Sequence, residues 1–223
     1  MLYDASMNSP AVTEPADKPR RKYNSTRRSL QAAQTRDDVL AAAIRRFSTA
    51  GWAGTTIAGI ASDAGVAVET IYSGFGSKKA LLRAAMDVAV VGDAEPIPFA
   101  DRAYARRMAE GTASERLDAA AEITADVHER SAGVWSALIE AAAADPEIDG
   151  WRQELERGRR IEVARSVRAM LGPDVDVDEF TVDLAWVIFG PEVYLKVTTD
   201  LARSRAGYEA FIREGFSRLI APL

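Results

Sequence analysis

The chain has 223 residues, 48% of them apolar, no cysteine and a single histidine. That suits one short domain fused to one larger domain with an ample core; it excludes a disulfide framework and all but excludes a Cys/His zinc site. The formal net charge of −5 is uneven: residues 1–17 carry three acids and no base, residues 18–86 a net +8, and residues 87–223 a net −10. Attraction for a polyanion is therefore concentrated at one end.

Met1 to Pro19 is polar and interrupted by prolines, unlike a signal peptide, and no apolar run approaches the roughly eighteen residues of a membrane span. A cytoplasmic protein without membrane contact is expected. Met1 to about Ser29 lacks hydrophobic periodicity and contains Pro10, Pro15 and Pro19, which predicts a disordered tail over 1–28. Within it Lys18, Arg20, Arg21, Lys22, Arg27 and Arg28 occur with no acid among them. They form either an arm for a nucleic-acid groove or a solvated charge run.

A first helix is predicted from about Thr35 to Ala50, with Val39, Ala43, Ile44 and Phe47 inward and Arg36, Asp37, Arg45 and Arg46 outward. Gly51 ends it, because glycine takes a left-handed conformation without steric cost. Thr55 and Thr56 offer side-chain oxygens to cap a second helix through about Ala64, its inward residues being Ile57, Ile60 and Ala61. Gly65 makes a sharp turn and Val66 packs into the angle. Val68 to Ser73 form a third helix with Ile71 buried and Val68, Glu69, Thr70 and Tyr72 outside. Two short helices at a sharp angle are the pattern of a DNA-binding helix-turn-helix. Ser77 caps a fourth helix to about Val91, and the lysines of its first turn, Lys78 and Lys79, oppose the helix dipole but suit an approaching phosphate.

The run Thr55-Thr56, Ile60-Ala61 and Ala64-Gly65-Val66, followed by Thr70-Ile71-Tyr72, Phe75 and Ser77-Lys78, resembles the DNA-binding domain of the TetR family of transcriptional regulators. The resemblance implies an all-helical homodimer: an N-terminal DNA-binding domain over 29–91, and a larger C-terminal domain over 92–223 that dimerises and holds a small-molecule effector. It further implies that Thr56, Tyr72 and Lys78 contact phosphate while Val68, Glu69 and Thr70 face bases; Thr55, Lys79, Arg20, Arg21, Arg27 and Arg28 join them as candidate DNA contacts. Two departures stand out. Ala58-Gly59 gives the second helix no long donor, and Ala67 replaces a capping serine at a cost of about 1 kcal/mol. The third helix is left with most of the reading. Glu69 either accepts from a cytosine amino group or repels phosphate and so suppresses non-specific binding.

Beyond the predicted joint Gly92 to Pro98, helices are expected over about 99–110, 114–131, 132–144, 147–171, 178–202 and 205–220, with no competing strand pattern. Phe189-Gly190-Pro191 followed by Tyr194 is similar to a segment of many family members. The 178–202 helix is apolar around most of its circumference, which predicts a symmetric four-helix bundle formed with 205–220 of both chains. Val193, Val197, Phe211, Gly215, Phe216 and Leu219 are its expected contacts. Candidate effector contacts are Tyr104, Met108, His128, Trp135, Trp151, Trp186 and Phe189, with Phe99, Val127 and Leu138 as further candidates. His128 is either a ligand's hydrogen-bond partner or a hydrogen-bonded core residue.

Together these features predict a homodimeric repressor released from a palindromic double-stranded operator by a small, largely apolar molecule. The alternatives are a regulator without such an effector, controlled by a protein partner or constitutive, and an enzyme. For the last there is no Ser/His/Asp arrangement, no phosphate-cradling glycine loop and no metal cluster; no catalytic residue, metal or cofactor is expected. Asp174, Asp176, Asp178 and Glu179 lack the spacing of a calcium loop and read as a loop and helix start.

Overall fold

In the computed structural model of the chain, residues 23–93, 103–172 and 175–219 are described. These residues are helical and contain no strand. Two compact units are distinguished, 1–34 and 35–223. Of the first, the described part is helical from Tyr23, and the side chains from Arg27 to Gln34 are exposed. The predicted tail is thus partly helix: no proline or glycine follows Pro19 until Gly51, so nothing stops helix α1 (Tyr23–Gly54) from starting well before Thr35.

In the second unit α2 (Ile57–Ala64), α3 (Val68–Phe75) and α4 (Lys78–Val91) follow as their caps dictate. Thr56 and Ser77 accept from the amides of Gly59 and Ala80, each three residues on, and Gly65 and Gly92 close α2 and α4 in left-handed conformations. The short α5 (Ala103–Arg106) and a 3₁₀ turn at Arg107–Ala109 precede α6 (Ala113–Ala142) and α7 (Pro146–Leu171). Then come α8 (Glu179–Ile188), α9 (Pro191–Leu195), a π turn at Lys196–Asp200 and α10 (Arg205–Leu219). The predicted joint lies mostly outside the described residues.

Two expectations are corrected. The helices predicted over 114–131 and 132–144 are one helix, about 45 Å long. Gly133 does not break it; a Cβ there would sit 2.6 Å from Cβ of Ser48, so the glycine lets α6 cross α1 closely. Ser131 stays helical by donating to the carbonyl of Val127 at 2.7 Å. Conversely, the predicted 178–202 helix is interrupted at Phe189-Gly190, because Pro191 has no amide to continue the ladder and instead opens α9.

Two apolar cores share α6. Its C-terminal half, with Val134, Trp135, Leu138 and Ala141, packs with Phe47, Ile60, Ile71, Leu82 and Met86 of the first four helices and with Ile148 and Trp151 of α7. Its N-terminal half packs with Met170, Val182, Phe189, Tyr208, Ile212 and Phe216. The helix-turn-helix therefore has no core of its own; its interior continues into the body.

Candidate nucleic-acid interface and ligand cavity

The head is built around Gly65, at φ 67° and ψ 31°, a left-handed conformation that only glycine adopts without strain. It turns the chain from α2 into α3, and the amide of Val66 closes the turn on the carbonyl of Ala61 at 3.0 Å. Ile71 is buried against the core, whereas Glu69, Thr70 and Tyr72 stand exposed. Ala67 makes no side-chain cap, so Glu69 in the first turn is what opposes the positive end of the helix. Arg46 of α1 grips Asp63 of α2 with two hydrogen bonds of 2.6 and 2.8 Å. That pair crosses Gly59, where a Cβ would lie 2.5 Å from Nη1 of Arg46. The glycine that deprives α2 of a donor thus admits the clamp between the two helices.

Behind the head lies a joint that sequence reasoning missed. Gly51, at φ 66° and ψ −169°, kinks α1 and exposes the amides of the next turn. The Glu140 carboxylate of α6 accepts from Trp52 and Ala53 at 2.7 and 3.0 Å. Lys78 donates to the Trp52 carbonyl at 2.5 Å with its ammonium 4.0 Å from the Trp52 ring centroid. Burial pulls the Lys78 amine below its ordinary range, a shift that Glu140 partly opposes. Lys79 pairs with Asp145 at 2.5 Å and Glu147 at 2.9 Å, at the start of α7; the hydrogen bonds it donates to these carboxylates hold its ammonium above the usual range.

A cavity of about 420 Å³ opens between α4, α6 and α7. Met86 and Val90 of α4, Ile123 and Val127 of α6, and Leu155 and Met170 of α7 make it largely apolar, and Phe189 and Pro191 at the helix break complete it. Two cations, Arg83 and Arg159, and two anions, Glu154 and Glu162, also line it, so its charges balance. Arg159 donates to the carbonyls of Trp186 at 2.8 Å and Phe189 at 3.4 Å, which the broken helix leaves without ladder partners. His128 is 6% exposed and its Nδ1 lies 2.8 Å from the hydroxyl of Tyr208, itself fully buried. Burial, with a smaller contribution from Arg159, brings the imidazole pKa down to about 3, so the ring is neutral.

Residues 39–85 match the family model of bacterial regulatory proteins, tetR family. The helix-turn-helix segment is thus similar to the DNA-binding domain of the tetR family. Among solved structures it is similar to a transcriptional regulator from Rhodococcus sp. Rha1, with a TM-score of 0.57 and 14% identity over 84% of this chain and 96% of that one. It is also similar to a protein from Pseudomonas aeruginosa PAO1 assigned as a transcriptional regulator, with a TM-score of 0.56 and 19% identity over 83% and 90%. At these identities the likeness carries the fold. Comparison with curated proteins gives no match. The match supports DNA binding in transcription regulation, and among the described residues no helix is long and apolar enough to cross a membrane.

The family match gives the candidate residues their context. Thr56, Glu69, Thr70 and Tyr72 are exposed on α2 and α3; Val68 is half-buried against the core. Thr55 is corrected: it is 1% exposed and donates to the Gly51 carbonyl at 2.7 Å, bracing the kink instead of facing outward. Lys79 is likewise engaged by the body through its two carboxylates. Arg27 and Arg28 lie exposed on α1, while Arg20 and Arg21 fall outside the described residues.

Met108, His128, Trp135, Trp151 and Phe189 line the cavity, as does Val127. Trp186 does not. Its indole donates to Glu156 at 3.1 Å and its ring lies beneath Arg159. Leu138 is fully buried in the core shared with the head. The Tyr104 side chain and Phe99 lie outside the described residues. Of the expected dimer contacts, Val197 and Phe216 are corrected, being 2% and 3% exposed within a single chain. Val193 packs against the core at the N-terminal half of α6 and Gly215 against Ile188; Phe211 is exposed, and the Leu219 side chain is outside the described residues. The apolar side chains that α8 leaves in the open are Phe180 and Val187.

Proposed function

We propose that the protein is a homodimeric repressor that reads a palindromic operator with α3 and leaves it when a small, largely apolar molecule occupies the cavity. The observation that carries the reading is the double duty of α4. It starts at Ser77, beside the helix-turn-helix, and supplies Arg83, Met86 and Val90 to the cavity wall. Trp135 and Trp151 belong both to the cavity wall and to the core shared with the head. A molecule that favours one spacing of these helices over another changes DNA affinity by its preference between the two states, and by no more.

Glu69, Thr70 and part of Val68 address bases, while Thr56, Tyr72 and the basic residues of 18–28 address phosphate. Exposed Phe180 and Val187 of α8, together with Phe211 of α10, support a two-fold helical interface, since apolar side chains at helical spacing call for cover. Selection of bound duplexes from a random pool tests the reading. A palindrome with half-sites about 34–36 Å apart is the expected result; no enrichment over competitor, or an asymmetric single site, refutes it. Placing glutamate at both Phe180 and Val187 should convert a dimer to monomer in sedimentation, and an unchanged mass would remove this interface.

A further inference from the structure

The cavity has one polar feature that its apolar lining does not explain. His128 is nine-tenths buried, and only its Nδ1 is engaged, by Tyr208. Among the described residues Nε2 meets no donor or acceptor, yet the imidazole forms part of the cavity wall. A buried polar nitrogen left unpaired is costly, and native structures seldom leave one so.

Hydrogen-bond accounting decides which nitrogen carries the proton. The Tyr208 hydroxyl is fully buried and has no partner but His128 among the described residues. Were Nδ1 protonated, it would donate to the phenol oxygen, leaving the phenolic proton buried without an acceptor and Nε2 without a donor. With Nδ1 unprotonated, Tyr208 donates to it and every group but one is satisfied. The remaining group is the Nε2–H donor of a side chain that lines the cavity. Around the ring stand Tyr208 of α10, Tyr194 of α9 with its ring centroid 6.0 Å away, and Arg159 of α7, whose charge favours a neutral imidazole.

We infer that the effector is an uncharged molecule with an apolar body and one carbonyl or ether oxygen, received by the Nε2–H of neutral His128. This rests on the cavity being the effector site. The balance of Arg83 and Arg159 against Glu154 and Glu162 leaves no net charge for a carboxylate or an ammonium to neutralise.

The chain has a single histidine, so nitrogen-15 NMR of histidine-labelled protein reads the donor directly and without any ligand. The Nε2–H tautomer, unchanged through neutral pH, is expected; an Nδ1–H tautomer or an imidazolium at neutral pH overturns the inference whatever the cavity binds. The second measurement titrates the full-length protein with four molecules of one skeleton: butyrophenone, butylbenzene, phenylbutyrate and phenylbutylamine. The ketone should bind roughly tenfold tighter than the hydrocarbon, the worth of one hydrogen bond, with both ions weaker, and it should shift the Nε2 resonance. Equal binding of ketone and hydrocarbon, or preference for an ion, refutes the acceptor while leaving the cavity a ligand site. Binding by none of the four would remove the cavity reading, and the inference with it.

Discussion

Because His128 is neutral in the fold and ordinary when unfolded, acid should weaken the protein before the carboxylates held low by their partners are protonated. Its pKa falls from 6.5 to about 3 on folding. A depressed histidine binds its proton more readily in the unfolded chain, so stability is complete above the unfolded value and declines as pH falls below it. Each pH unit below the unfolded value costs about 1.4 kcal/mol, so the loss between about pH 7.5 and about pH 5 is roughly 2 kcal/mol. Against a total of about 5–15 kcal/mol for a folded domain, that is a visible shift. Carboxylates held low by their partners, such as Asp145 beside Lys79 and Asp178 at the Thr181 amide, begin to contribute only below about pH 4. Asp87, pushed up by burial, acts in the opposite direction but is common to any pair of variants. The assay is urea unfolding of the natural protein and of His128→Phe at a series of pH values. The natural protein should lose roughly 2 kcal/mol more than the variant over that interval. Parallel curves, or a natural protein that gains stability on acidification, would refute a buried neutral imidazole.

Three further outcomes follow from the joint behind the head. Glu140→Ala orphans the amides of Trp52 and Ala53; a loss of roughly 1–3 kcal/mol in thermal or urea unfolding is expected, with weaker duplex binding, and Glu140→Gln should recover part of both. Gly133→Val drives a side chain into Ser48 at the α1/α6 crossing, where the Cβ of Ser48 at 2.6 Å and its backbone Cα at 2.9 Å both stand in the way, costing roughly 1–3 kcal/mol in denaturant titrations; Ser48→Gly in the same chain should relieve only the side-chain part, and an undiminished stability of Gly133→Val would mean that the two helices do not cross closely there. Lys79→Ala removes a cation already engaged by Asp145 and Glu147. The salt dependence of duplex binding should therefore be unchanged, whereas a slope reduced by about one would put Lys79 on phosphate.

What a residue does with neighbours three or four positions away was legible in the sequence. The Thr56 and Ser77 caps, the Gly65 turn, the uncapped Ala67, the end of α4 at Gly92 and the inward faces of α1 to α3 all depend on local backbone geometry, which the chain writes into itself at helical spacing. The family motif is concentrated in the same stretch for that reason. Long-range partners were not legible. Nothing near Glu140 in the chain announces that it closes a turn at Trp52, nothing near Lys79 points to Asp145 and Glu147, and Gly133 reads as a breaker until Ser48 is found against it. Val197 and Phe216 look like a surface for a partner because the sequence marks them as apolar without saying what covers them; packing within one chain already does so. His128 shows the division in a single side chain. The sequence offered it as a ligand's partner or a core residue, but Tyr208, brought from α10 only by folding, sets which nitrogen bears the proton and leaves the other to the cavity.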